Sequence, residues 1–149
     1  MKTSIRRLLI VTGGLAWLGL SAGLLAEDRP YTEGNVVNVS SIRTEYGHFD
    51  DYLKFLATTW KQQMEASKKA GLIVSYNVLT VQPRGPDDPD VYLVVTYKNW
   101  AAFDGLSAKA DAIAAQVYGS VTKADEGAVG RVKIRRVLGS QTMQELNLK

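Results

Sequence analysis

The chain has 149 residues, of which 46% are hydrophobic and 22% charged, the ordinary balance of a globular protein of one domain. It contains no cysteine and one histidine, which excludes disulfides, thiolate metal sites, a cysteine nucleophile and a multi-histidine metal centre within one subunit. The first 26 residues hold three basic side chains and no acidic one; without them the 18 Lys and Arg fall to 15, equal to the 15 Asp and Glu. The remaining domain therefore predicts no nucleic-acid partner.

The N-terminal segment has the layout of a secretory signal peptide. Its basic start is followed by an apolar run from Leu8 to Leu20 and by small residues that end at Ala26. An uncleaved anchor is the alternative, because the apolar stretch approaches the thickness of a bilayer. Its glycines and small residues favour cleavage, after Ala26 or, as second choice, after Gly23. We expect residues 1–26 to be removed and the mature protein to be periplasmic or secreted, without further membrane contact.

The mature chain is predicted to begin with a flexible arm over 27–34, followed by a strand over 35–44. Valines recur on both faces of this strand, and Asn38, Ser40 and Ser41 interrupt them. Polar side chains in such a strand either face solvent or line a wet cavity, and the first interpretation is favoured.

A long helix is predicted to begin near Phe49 and to end before Gly71, whose left-handed conformation would stop it. Acidic residues lie at its start and lysines at its end, as the helix dipole favours. Its apolar stripe recurs at intervals of three and four residues and consists of Phe49, Leu53, Leu56, Trp60 and Met64, widened by Tyr52 and Phe55.

The second half of the chain predicts strands over 72–81 and 90–97, separated by the proline-rich loop 83–90. Asn99 is predicted to cap a second helix that runs to about Tyr118. A polar connection over 120–127 and a last strand over 129–138, broken at Gly139, are expected next. The tail 140–149 either extends the structure or lies along the sheet of a partner.

This order of elements, βαββαβ, predicts an α+β fold of the ferredoxin-like, split βαβ type, with a four-stranded antiparallel sheet and both helices on one face. The other face would then expose Val37, Val39, Val94 and Val78 or their neighbours. An apolar sheet face open to water is unusual in a monomer. Two sheets packed face to face would cover it, so the sequence predicts a homodimer.

Three short runs carry a resemblance to a known family. They are Gly47 to Leu53 (GHFDDYL) at the start of the first helix, Ala70-Gly71 at its end, and Tyr97 to Phe103 (YKNWAAF) before the second. Together with the order of elements, they resemble the dimeric α/β-barrel superfamily over roughly residues 35–148. This superfamily includes antibiotic-biosynthesis monooxygenase-like and haem-degrading monooxygenase-like proteins, and uncharacterised exported members.

The resemblance implies a dimeric α/β barrel and, for an enzyme, an asparagine and a tryptophan near the second helix. Asn99 and Trp100 are the residues here to compare with these. The haem-degrading members add a histidine on that helix, and none lies between Trp100 and Gly119. No haem and no other cofactor is therefore expected.

The candidate catalytic residues are His48, Asn99 and Trp100. His48 has the only side chain that ordinarily titrates near neutral pH, and it is either a general base or a turn residue before the helix. Trp100 either walls a pocket or packs at the junction of strand and helix. The candidate ligand-binding residues are Tyr76, Tyr92, Trp100 and Arg135. The tyrosines would converge in a cavity or pack at an interface, and an inward-pointing arginine would need an acidic or ligand partner.

Two classes of function follow. The first is a binding protein that holds a small, largely apolar or aromatic molecule between sheet and helices. The second is a cofactor-independent monooxygenase or isomerase-type enzyme acting on such a molecule. The first is favoured because the sequence has no recognisable base, metal site or cofactor motif. A structural dimer with a filled core is a further alternative, and an open cavity with convergent polar groups would decide against it.

Overall fold

The computed structural model of the protein describes residues 29–149, so the predicted signal peptide lies outside the described residues. The elements in chain order are β1 (Tyr31–Thr44), α1 (Phe49–Phe55), a π-helical stretch (Leu56–Trp60), α2 (Lys61–Lys69), β2 (Ser75–Thr80), β3 (Val91–Tyr97), a 3₁₀ turn (Trp100–Phe103), α3 (Leu106–Tyr118), α4 (Val121–Gly130), a second 3₁₀ turn (Arg131–Lys133) and β4 (Arg135–Leu148). No helix within residues 29–149 is long and apolar enough to cross a membrane.

The four strands form one antiparallel sheet in the order β2-β3-β1-β4. This confirms the predicted α+β class and its four-stranded antiparallel sheet. The strand order is consistent with the ferredoxin-like arrangement, in which the first and third strands occupy the centre.

The core lies where the middle of the sheet meets the first helix. Ile42 of β1 and Val91 of β3 are paired across the sheet, and both pack against Tyr52 and Leu56. All four are at most 4% exposed. Because side chains alternate along a strand, the residues two positions away point to the same helices.

The predicted long helix is confirmed, although its centre is π-helical. α1, the π-helical stretch and α2 follow one another without a break from Phe49 to Lys69. Within the stretch, the hydroxyl of Thr58 donates to the carbonyl of Lys54 at 2.8 Å, which offers the local backbone an extra partner. Trp60, at the end of the stretch, is partly buried against the core.

The second helix begins later than predicted, and the capping role predicted for Asn99 is wrong. Asn99 has an extended backbone (φ −169°) and makes no side-chain capping hydrogen bond to the 3₁₀ turn that follows. Gly105, at φ +64°, then redirects the chain before α3 starts at Leu106. Only glycine adopts this conformation without strain, so the glycine separates the turn from the helix.

The C-terminal region differs most from its prediction. The predicted polar connection is α4, capped by the Ser120 hydroxyl, which accepts from the backbone N–H of Lys123 at 3.1 Å. The last strand starts at Arg135 instead of 129, because residues before it complete the helical layer. Gly139 does not break it: the pairing shifts there from Ser41↔Gly139 to Ile42↔Val137, a bulge that the strand passes through.

Both ends of the described chain belong to the sheet. β1 begins at Tyr31, inside the segment predicted to be a flexible arm, and Tyr31 pairs with Leu148. Of the two alternatives for the tail, the structure shows the first: it extends the chain as the second half of β4 and pairs with β1 of its own chain. Each segment thus supplies the other's hydrogen bonds.

The sheet face away from the core carries no helix in the part of the chain that the structure describes. We call it the uncovered face; by strand register it presents Val37, Val39, Leu79, Tyr92, Val94 and Met143. Leu79 is 53% and Met143 46% exposed. Val78 was predicted on this face, but it is paired with Leu93 and lies on the helix side, next to Leu53 and Trp60.

Candidate functional site

A cleft of about 170 Å³ lies between the sheet and the helices, beside the core. We call it the arginine cleft. Its apolar walls come from the sheet and the first helix, and its polar groups come from both the sheet and the helices. The lining residues are Ser40, Ile42, Tyr52, Phe55, Trp60, Gln63, Leu93, Tyr118, Arg131, Arg135 and Val137. No carboxylate is among these residues. The cleft therefore combines an apolar wall with hydroxyl, amide and guanidinium donors.

Two arginines enter this cleft from neighbouring elements. Arg131 lies in the 3₁₀ turn after α4, and Arg135 is the first residue of β4. The Nε atom of each is buried and has no hydrogen-bond partner within residues 29–149. A guanidinium keeps its charge at any physiological pH, so these are buried donors on charged groups.

The Arg131 guanidinium is held flat against the first helix. Its Cζ lies 4.1 Å from the centroid of the Phe55 ring, a cation–π contact. Gly127, one turn earlier, leaves the space that Arg131 occupies: a Cβ added there would lie 3.1 Å from the Arg131 Nη1. The small residue and the aromatic ring together fix where the guanidinium lies.

Tyr52 brings a neutral phenol to the same place. Its side chain is 2% exposed, and burial raises its pKa above the ordinary value, while the charge of Arg135, a hydrogen bond from Arg135 and the charge of Arg131 oppose that rise. The hydroxyl therefore stays protonated at neutral pH and is available as a donor. Two cations and one phenol face a space that contains no acidic side chain.

A row of polar side chains continues from the cleft along β1 and β4. Ser40 and Ser140 hydroxyls lie 2.6 Å apart, and the Asn38 amide donates to the Thr142 hydroxyl at 2.9 Å. These positions are on the helix side of the sheet, where Asn38 and Ser40 are half-buried and their partners Ser140 and Thr142 are exposed. Of the two β1 residues, only Ser40 lines the arginine cleft, which corresponds to the alternative that polar side chains of this strand line a cavity. Ser41 lies on the uncovered face.

Of the candidate ligand-binding residues, Arg135 lines the arginine cleft, and the others do not. Tyr76 lies in a separate apolar groove between β2 and the first helix, with its ring edge against Trp60 at 5.3 Å. Its hydroxyl donates to Glu65 Oε1 at 2.5 Å, which raises the pKa of the phenol. Tyr92 is on the opposite side of the sheet, where it is paired with Leu79.

The candidate catalytic residues also lie apart from the cleft. Trp100 is 49% exposed, and its Nε1 donates to Gln144 Oε1 at 2.9 Å. Asn99 is exposed beside it. His48 Nδ1 lies 3.1 Å from Asp51 Oδ2, a contact that holds the pKa of Asp51 below its usual value. This arrangement is that of a surface residue at a helix start, not of a base aimed at a cavity.

Sequence reasoning missed Tyr52, Arg131, Tyr118 and Gln63 as lining residues. Tyr52 was identified only as part of the apolar stripe, and Arg131 was assigned to a strand. One sequence argument pointed towards the cleft: an arginine of the last strand that points inward needs an acidic or ligand partner. It identified Arg135, but the sequence did not reveal that a second arginine would meet it.

A second cleft contains charged side chains that pair with one another. This cleft at the loop end of the sheet, about 500 Å³, contains Asp90, which accepts from the backbone N–H of Thr44 at 3.0 Å. Arg136 in the same cleft pairs with Glu45 at 3.3 Å and with Asp87 at 3.7 Å. The charges there satisfy one another, whereas those of the arginine cleft do not.

Comparison with known proteins adds little. No family model matches the sequence, and no curated protein matches it. Two solved structures are similar to the chain. HapK from Hahella chejuensis has a TM-score of 0.45 and 14% identity, and the match covers 74% of this chain and 91% of HapK. Protein SO0527 from Shewanella oneidensis has a TM-score of 0.46 and 21% identity, and the match covers 78% of this chain and 96% of SO0527. Likeness at this level does not bear on function.

Proposed function

We propose that this is an exported, dimeric α/β-barrel protein that binds a small, largely apolar molecule between its sheet and its helices. The observation that carries the proposal is the arginine cleft, in which aromatic and aliphatic walls converge with a few polar donors. That combination is typical of ligand sites, because apolar walls supply affinity and sparse polar groups supply orientation.

The size of the cleft limits the ligand. Its volume is about 170 Å³. A cavity of ~150 Å³ lined by apolar side chains is large enough for benzene. One aromatic ring, or an aliphatic group of similar volume, therefore fits within the cleft.

Binding without catalysis is the favoured class. The enzyme alternative invoked Tyr, Asn, Trp and Arg side chains to position a substrate, and its candidate catalytic residues His48, Asn99 and Trp100 do not line the cleft. The alternative of a filled core is disfavoured by the open volume beside Tyr52 and Trp60. Proposed export to the periplasm or exterior is supported by the signal-peptide pattern in residues 1–26.

The proposed homodimer is supported by the uncovered face. Its aliphatic and aromatic side chains would meet water in a monomer, and each Å² removed from water contributes ~25 cal/mol. A second copy presenting the same face would bury both sheets. Because the tail pairs with β1 of its own chain, deleting residues 140–149 would remove half of β4, and a surface substitution is the cleaner test.

The binding proposal is tested by filling the cleft. Ser40→Leu places a larger side chain in it, and Ser41→Leu is the matched control, since the next residue of the same strand lies on the uncovered face. Calorimetric titration with benzamide, a neutral one-ring probe, should show binding to the parent and to the control, and at least ~10-fold weaker binding to Ser40→Leu. Equal benzamide affinity in the parent, Ser40→Leu and Ser41→Leu would mean that benzamide binds outside the arginine cleft.

The dimer proposal is tested by light scattering at micromolar concentration. The parent should have the mass of a dimer, and Val39→Lys, in the centre of the uncovered face, should shift it to the monomer. The exposed Val129→Lys, which lies on α4, should remain dimeric. A parent protein with a monomer mass would refute the dimer and leave the binding proposal standing.

A further inference from the structure

The two arginines of the cleft are unusual because nothing in the described chain neutralises them. Arg131 and Arg135 have no ion pair within residues 29–149, and the residues that line the cleft with them include no Asp or Glu. Asp90, the acidic residue that influences Tyr52, is already bonded to the backbone and hydroxyl of Thr44. Two buried Nε donors are therefore left over in one cleft.

A purely structural arginine would not have this arrangement. Taking charged groups out of water is unfavourable unless partners replace the lost hydration, and two like charges in one cleft add repulsion. The contact of Arg131 with Phe55 offsets part of this for one guanidinium but occupies its face and leaves its Nε–H edge free. An anion between the two would satisfy both donors at once.

The geometry points to a ligand that is an apolar carboxylate the size of one aromatic ring, bound with its carboxylate between Arg131 and Arg135 and its apolar body against Phe55, Trp60 and Leu93. This inference rests on the proposed function and specifies its ligand class. Its basis is that two guanidinium groups whose Nε donors have no partner in the described chain lie beside an aromatic wall in a single cleft.

The chemistry of the lining favours a carboxylate over other anions. A guanidinium presents its N–H groups in a planar fork that matches the two oxygens of a carboxylate. The protonated phenol of Tyr52 adds a third donor at the same end of the cleft. The rest of the cleft is aromatic and aliphatic, which suits a ring and excludes a strongly hydrated body such as a sugar phosphate.

The test compares two probes that differ in charge. Benzoate and benzamide have nearly the same shape, but only benzoate is an anion. In calorimetric titrations of the full mature protein, benzoate should bind at least ~10-fold more tightly than benzamide, the contribution of one charge-assisted hydrogen bond. Inorganic phosphate should bind more weakly than benzoate, because it gains nothing from the aromatic wall.

Arg135→Met should reduce benzoate affinity to that of benzamide and leave benzamide affinity unchanged. The matched control is Arg136→Met, since the next residue along β4 is an arginine of the same strand whose side chain pairs with Glu45 and Asp87 outside the cleft. That variant should bind benzoate as the parent does.

A second pair of variants tests Arg131 without removing it. Gly127→Ala would bring a Cβ to 3.1 Å from the Arg131 Nη1, so the guanidinium must shift by a few tenths of an ångström, whereas a Cβ at Gly130 has nothing within 4 Å. Gly127→Ala should weaken benzoate binding several-fold, and Gly130→Ala should not.

The outcomes separate the two proposals. Equal affinities for benzoate and benzamide, or a parent-like benzoate affinity in Arg135→Met, would overturn the carboxylate inference and leave an apolar binding protein. Phosphate binding as tight as benzoate binding would also overturn it, because the apolar wall would then contribute nothing. Binding of neither one-ring probe would remove the proposed function and, with it, this inference.

Discussion

The layer between sheet and helices contains two neighbouring regions that are built on opposite principles. In the core, Ile42, Leu56 and Val91 are almost completely buried and fill the space with apolar atoms. In the arginine cleft, about 170 Å³ stays open, and the side chains that face it include two arginines whose Nε donors have no hydrogen-bond partner in the described chain. Tyr52 belongs to both, with its ring in the core and its hydroxyl near the arginines.

This difference shows how stability and binding are divided within one layer. Close packing stabilises the fold because each buried apolar atom is removed from water and gains contacts. A site must instead keep volume and unsatisfied donors available, and these lower the stability of the empty protein. The core and the cleft should therefore respond in opposite directions to the removal of a side chain.

The largest expected effect is in the core. Leu56→Ala should lower the free energy of unfolding by about 2–5 kcal/mol, because the side chain is 4% exposed and its loss leaves a cavity. The control is Val129→Ala, whose side chain is 71% exposed and should change stability by no more than about 0.5 kcal/mol. Urea unfolding of the mature protein measures both. A midpoint for Leu56→Ala equal to that of the control would mean that the core lies elsewhere.

A smaller effect, of opposite sign, is expected in the cleft. Arg135→Met keeps an unbranched side chain of similar length and removes a buried donor that has no partner. The empty variant should be as stable as the parent or more stable, by up to about 1–3 kcal/mol, the penalty of an unsatisfied buried polar group. A clear loss of stability in the same urea experiment would show that Arg135 holds the fold together, and the contrast between the two regions would disappear.

The smallest effect concerns the residue that the two regions share. Burial raises the pKa of Tyr52 above 10.0, its ordinary value, while Arg131 and Arg135 lower it and Asp90 raises it. Because the pKa of Tyr52 is higher in the folded state than in the unfolded state, its neutral phenol contributes its full stabilisation below the unfolded-state pKa. That contribution is lost as the pH rises through the folded-state pKa. Because phenylalanine has no hydroxyl to titrate, the free energy of unfolding of Tyr52→Phe should fall less than that of the parent when the pH is raised from neutral to above 10.0.

Thermal unfolding of the two proteins across that range measures the difference. Tyr46→Phe is the control, because Tyr46 is fully exposed and its substitution should leave the pH profile unchanged. If Tyr52→Phe and the parent lose stability in parallel, the phenol does not titrate from a buried site.

Local patterns in the sequence were sufficient for the fold class. The stripe through Leu53 and Leu56 predicted the long helix, and the run Val91–Tyr97 predicted a central strand. Both signals are periodic repeats of apolar residues within one element, and periodicity of that kind depends on little beyond the element itself. The α+β class and the four-stranded antiparallel sheet followed from the order of such elements.

Prediction was least successful where one sequence pattern is compatible with two kinds of local structure. The alternation of Val132 and Ile134 with basic residues suggested a strand, yet this segment is a turn that closes the helical layer. Its conformation is decided by packing against the first helix, including the contact of Arg131 with Phe55. Gly139 suggested a break, but a bulge in the pairing with β1 accommodates it.

By itself, the sequence determined the periodic elements, the charge balance and the absence of cysteine chemistry, because these depend on neighbouring residues or on composition alone. Only the tertiary structure decided which polar groups meet. Arg131 and Arg135 are four residues apart, but their common cleft depends on Phe55 and Trp60, which are far away in the chain. Contacts between distant segments follow from how the layers pack, and no local pattern encodes that packing.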